Sequence, residues 1–146
     1  MHPLKFLSAI LFTLSLTTSA FAQTKAVVIE NAWVRLHGDA VTAYFTIANN
    51  AEQADRLLGV SSAAADKVEL LRTRVRSGKY TYQPVPALDI GGFGDERLRP
   101  GGLFLRLTGV RRRLAVGDTV PLTLRFERAG TIEVAARVSN QLLGNR

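Results

Sequence analysis

The 146-residue chain contains no cysteine, and its only methionine is the initiator Met1. The first absence excludes disulfide staples, thiolate nucleophiles and thiolate metal ligands, so the fold has to be stable from packing alone. Histidine is almost as scarce: His2 lies near the N-terminus, and His37 is the only other one. No internal repeat, heptad pattern or low-complexity tract is present, which excludes solenoids and coiled coils. No segment has a clear amphipathic helical period, and no nucleophile with a base, cofactor motif or usefully spaced carboxylate pair is found. An enzyme is therefore not expected.

The N-terminus carries a short basic region ending at Lys5, an apolar run from Phe6 to Leu16, and the small-x-small stretch Ala20-Phe21-Ala22. These three parts make a signal peptide over residues 1–22, cleaved after Ala22. The apolar run is about half of the roughly 20 residues that cross a bilayer, so no transmembrane segment is expected after cleavage. Residues 23–146 are then one domain, long enough to bury its own core. Losing Lys5 leaves 18 basic residues against 12 acidic ones, a formal charge of +6. That balance favours an acidic protein face or anionic head groups over nucleic acid in an exported protein, though it also serves solubility alone.

The pattern of the mature chain has the period of strands. In Arg99–Gly109, Pro100-Gly101-Gly102 makes a turn; Leu103, Leu105 and Leu107 then alternate with Phe104, Arg106 and Thr108, giving one core face and one face free for a site. Ala43, Phe45 and Ile47 alternate in the same way with Thr42, Tyr44 and Thr46, and Asn49-Asn50 stops that strand. Further strands are expected at Ala26–Ile29 and Ala32–Leu36, separated by a turn at Glu30 and Asn31, and at Arg56–Val60 and Lys67–Val75. Ser61–Asp66 reads as a loop. Ser77-Gly78 reads as a hairpin turn into Lys79–Pro84, with Pro84 and Pro86 marking an edge or a crossing between sheets. Asp95 and Glu96 fall in a loop with Gly91, Gly92 and Gly94. Val120–Phe126 and Thr131–Val138 form a last hairpin through Ala129-Gly130. The fold expected is all-β, an antiparallel Greek-key β-sandwich.

Several segments in the same order carry a resemblance: Ile29-Glu30-Asn31-Ala32-Trp33-Val34-Arg35, Ala43-Tyr44-Phe45-Thr46-Ile47-Ala48-Asn49, Asp55–Ser62, Lys67-Val68-Glu69-Leu70, Pro100-Gly101-Gly102 and Gly117–Glu127. Through them nearly the whole mature chain resembles the PCu(A)C family of periplasmic copper chaperones. The resemblance implies a cupredoxin-like sandwich in the periplasm that carries Cu(I), often towards the binuclear copper site of respiratory oxidases. Family members hold copper through His, ten residues, Met, twenty-one residues, His, one residue, Met. Laid on this sequence without a gap, the motif falls on Leu71, Tyr82, Phe104 and Arg106.

Cu(I) is held by thioether sulfur and imidazole nitrogen, and leucine, phenylalanine and a charged guanidinium have no lone pair to give it. Tyr82 has only a hard phenol. No cofactor is therefore expected at these degenerate positions, and the chain reads as a non-metal-binding interaction module related to copper delivery or cytochrome oxidase assembly. The alternative is a periplasmic copper or other metal carrier using non-standard donors, such as carboxylates and His37.

Two readings of the substituted positions stay open. Leu71, Tyr82 and Phe104 could fill the old pocket, with Arg106 over a ring of Tyr82 or Phe104 as a cation-π pair. Otherwise Arg72, Arg74, Arg76, Lys79 and Arg106 surround Tyr82 and Phe104 as a basic patch for an anionic ligand or a protein partner. Trp33 reads as a core or near-core anchor and Arg111-Arg112-Arg113 as a solvated turn that could touch anionic lipid. His37 has no Ser or Cys to act on.

Overall fold

The structure is a computed structural model and describes residues 25–140. The signal peptide expected over 1–22, its cleavage at Ala22 and the tail beyond residue 140 lie outside the described residues. No described helix is long and apolar enough to cross a membrane.

β1 (Val27–His37) and β2 (Ala40–Asn49) form an antiparallel hairpin that turns at Gly38, with φ +58°. The turn expected at Glu30 and Asn31 is instead a bulge inside one continuous strand. Register shifts between Glu30 and Trp33, and Asn31 takes φ +52°. An extra residue in that conformation bends a strand without ending it, and asparagine tolerates it better than most side chains.

β3 (Asp55–Ser61) leads through a turn at Ala63-Ala64 into β4 (Ala65–Arg76). β4 and β5 (Lys79–Pro84) form the hairpin expected at Ser77-Gly78, whose φ values of +50° and +72° are those a two-residue type I′ turn requires. β6 (Leu88–Ile90) and β7 (Asp95–Arg97) are too short to leave a periodic signal. β7 pairs with β2, so Asp95 and Glu96 belong to a strand and not to the glycine-rich loop expected for them. β8 (Leu103–Val110), β9 (Thr119–Phe126) and β10 (Gly130–Val138) complete the chain.

The strands run in the order β5-β4-β8-β2-β1-β10-β9-β3-β6, with β7 beside β2. The fold is all-β and cupredoxin-like, and its ladders are antiparallel with one exception. β1 and β10 run parallel, with Trp33 opposite Arg137 and Val34 opposite Val138. That ladder joins two antiparallel blocks whose inner faces share one core. Val34, Ala43, Phe45, Ile47 and Leu105 come from the first block and Leu57, Val120, Leu122 and Leu124 from the second. Each such large side chain contributes about 1.5–3 kcal/mol by leaving water.

Buried polar groups fasten the loops. The Asp55 carboxylate accepts bonds from the backbone N–H groups of Arg56 (2.7 Å), Arg128 (2.9 Å) and Ala129 (2.9 Å), tying β3 to the β9–β10 turn. The Asn49 amide donates to the carbonyls of Gln53 (2.8 Å) and Gly91 (3.1 Å), which holds the glycine loop against the end of β2. On the surface, Arg56 donates to Asp89 at 2.6 Å, and that hydrogen bond raises the guanidinium pKa above its ordinary value.

Candidate functional site

Alternation along the first block decides what lies outside the core. With Leu103, Leu105 and Leu107 buried inward, Phe104 and Arg106 face out. Cross-strand register puts Leu71 opposite Phe104, Thr73 opposite Tyr82 and Thr42 opposite Arg106, so these residues share the outer face. The four positions singled out by the sequence motif are thus brought together.

Their packing is specific. Leu71 and Phe104 are only 3% and 7% exposed although they lie on the outer face, where the Tyr82 ring packs against that of Phe104. The Tyr82 and Phe104 rings meet edge to face, with centroids 5.3 Å apart and planes at 83°. The Arg106 guanidinium carbon lies 5.1 Å from the Tyr82 centroid and 5.9 Å from that of Phe104. Ring faces attract a cation through their quadrupole, so both rings hold the guanidinium in place. Glu69 sits opposite Arg106 on β4, but its carboxylate bonds Lys67 at 3.0 Å. Among the described residues no carboxylate lies within 4.0 Å of Arg106.

An open cleft of about 520 Å³ extends from this cluster across β2 and β1. Arg35, His37, Tyr44 and Tyr80 line it together with Tyr82 and Arg106, and none of its lining residues is acidic. His37 is far from the motif in sequence, yet it shares the cleft because β1 lies beside β2 and β2 beside β8. Sequence reasoning missed Arg35, Tyr44 and Tyr80. Alternation within β1 and β2 could have found the first two, had the neighbours of β8 been known.

The basic patch does not form as a single surface. Arg72 stands opposite Leu103 and Gln83, Arg74 opposite Thr81, and Arg76 opposite Lys79, all on the reverse face from Tyr82, Phe104 and Arg106. The β4–β5 hairpin therefore has a basic side and an aromatic side. All four lie on this hairpin, and the strand period of two turns them away from the rings.

Trp33 is a near-core anchor on the outer face, its ring 4.6 Å from that of Tyr44. Arg111 pairs with Asp66 at 3.1 Å and donates to the Ala63 carbonyl, and Arg112 donates to that of Thr119, so part of the arginine turn is tied to the fold. Asp95 and Glu96 are neighbours on β7 and project to opposite faces, which separates them as an acid-base pair. Among the described residues no three His, Cys, Asp or Glu side chains are grouped as a metal site.

Sheet order and the position of the cluster define a class, the cupredoxin-like β domains of the PCuAC type. Residues 27–138 match the family described as "Putative lipoprotein LpqE-like", and the chain belongs to that family. The "Putative lipoprotein Lxx21020" of Leifsonia xyli subsp. xyli is 30% identical over 120 residues, covering 81% of this chain and 72% of its own. The solution structure of CuI-DR1885 from Deinococcus radiodurans is 30% identical, with TM-score 0.67 over 86% of this chain and 87% of that one. The copper-bound PCuAC domain from PmoF2 is 27% identical, with TM-score 0.64 over 78% and 92%.

Proposed function

We propose that this chain is an exported PCuAC-type domain that no longer carries Cu(I) and acts as an interaction module, not an enzyme, in copper delivery or oxidase assembly. The observation that carries the reading is the placement of Arg106 against Tyr82 and Phe104. A guanidinium is charged at every accessible pH. A copper ion seated among these four side chains would meet a fixed positive charge, two hydrocarbon surfaces and a phenol, with no sulfur or imidazole to replace its hydration.

Export is supported by the signal-peptide pattern and by relatives whose names call them lipoproteins. The 146 residues contain no cysteine, however, so no thiol is available to carry an S-linked lipid chain. The domain is therefore read as periplasmic, with its signal peptide cleaved after Ala22.

The test is a titration of residues 23–146 with Cu(I) under reducing conditions against a chromogenic chelator. No tight equivalent is expected, and one tight equivalent would overturn the reading. His37 in the cleft favours one competing reading, a metal carrier with non-standard donors; binding lost in His37→Ala would establish it.

A further inference from the structure

β5 is an edge. It pairs with β4 on one side, and among the described residues with nothing on the other; all six of its residues are exposed. The register tells which backbone groups face the open side. Val85 donates to the Leu70 carbonyl at 2.9 Å. In an antiparallel ladder, bonded pairs recur at every second residue, so Arg72 with Gln83, Arg74 with Thr81 and Arg76 with Lys79 are the bonded pairs. Tyr80 and Tyr82 fall between them, and their N–H and C=O groups point away from β4.

Side chains on the same hairpin divide by alternation. Val75, Tyr80 and Tyr82 occupy one side at 61%, 68% and 49% exposure. Arg72, Arg74, Arg76 and Lys79 occupy the other. Among the described residues none of these four has a carboxylate within 4.0 Å, and Arg74 bonds only the uncharged Gln83 amide, at 3.3 Å. Free backbone groups, the exposed Tyr80 ring and unneutralised charge thus meet on one edge. Lys79 and the terminal Pro84 are the residues that natural edges use against self-association, and a second copy would also bring a second basic side. The charge favours a different occupant.

We propose that the β5 edge takes up, by strand addition, an extended segment of a partner protein in which acidic residues alternate with apolar ones. This rests on the reading of the domain as an interaction module and names the chemistry of its partner. Main-chain bonds to Tyr80 and Tyr82 set the register of the added strand. Its acidic side chains then lie beside Lys79 on the face shared with Arg74 and Arg76, whose long side chains stand one strand further in on β4, and its apolar ones lie beside Tyr80 and Tyr82.

The experiment uses fluorescein-labelled octapeptides and fluorescence anisotropy on residues 23–146. One peptide alternates Asp and Leu; the control has four Asp followed by four Leu. The alternating peptide is expected to bind at least tenfold more tightly, and the paired change Arg74→Glu, Arg76→Glu to weaken it at least tenfold. Tyr80→Pro removes an N–H that β4 does not use and is expected to weaken binding several-fold beyond Tyr80→Ala, with the thermal midpoint showing that both fold. Amide chemical-shift changes on binding are expected to centre on Tyr80 and Tyr82. Equal binding of the two peptides, full affinity in Tyr80→Pro, or displacement of the peptide by phosphatidylglycerol vesicles would overturn the proposal. The copper titration fails separately: a protein that takes neither peptide nor Cu(I) loses the strand-addition proposal alone, whereas one that takes Cu(I) loses the underlying reading.

Discussion

Leu71 and Phe104 face each other directly across β4 and β8, and Arg106 follows two residues along on the same face. Tyr82 reaches the same spot from β5, its ring 5.3 Å from that of Phe104. Four side chains at motif spacing therefore converge on one point although none is a soft donor. Converting them together, by Leu71→His, Tyr82→Met, Phe104→His and Arg106→Met, is expected to create one Cu(I) equivalent. Chelator competition on wild type and variant checks it, and a variant that folds yet binds no copper would show that spacing alone is insufficient.

Arg106 gives a second prediction. Its guanidinium rests on two rings, with no carboxylate among the described residues to share it, so Arg106→Ala is expected to destabilise the domain by about 1–2 kcal/mol. Arg106→Lys should recover only part of this, because an ammonium cannot lie flat on a ring as a guanidinium does. Urea denaturation of the three proteins measures both differences.

Asp55 is buried and accepts three backbone N–H bonds, two of which, from Arg128 and Ala129, join β3 to the β9–β10 turn. Asp55→Ala leaves those donors without their charged acceptor, a loss of about 2–4 kcal/mol. Asp55→Asn should lose nearly as much, since one of its two acceptors becomes a donor facing a donor. Thermal unfolding monitored by circular dichroism separates the variants from wild type.

The glycine loop provides a contrast between neighbours. A Cβ at Gly92 would overlap the backbone carbonyl of Glu52, whereas a Cβ at Gly91 meets nothing within 4 Å. Gly92→Ala is expected to cost about 2–3 kcal/mol and Gly91→Ala to stay within about 0.5 kcal/mol of wild type, as judged from their denaturation midpoints.

The sequence exposed most of what depends on local period. Alternation in β2 and β8 named the inward residues Ala43, Phe45, Ile47, Leu103, Leu105 and Leu107, all of which are in the core. Ser77-Gly78 marked a turn that its positive φ values require. Asn31 was misleading because polar residues at a bulge look like those at a turn until the pairing on either side is known. Which residues meet across the sheet is a matter of strand order, and no local pattern states it. Hence His37 looked remote from the cluster, and Arg72, Arg74 and Arg76 looked as though they stood on the same side as Arg106.

The parallel ladder between β1 and β10 sets a timetable for folding. Until the last strand is available, no strand ladder connects β9, β3 and β6 to the six-strand block that carries the cluster. Closing the molecule thus waits for its two ends to meet, a pairing of very high sequence separation that makes a β fold slow to form.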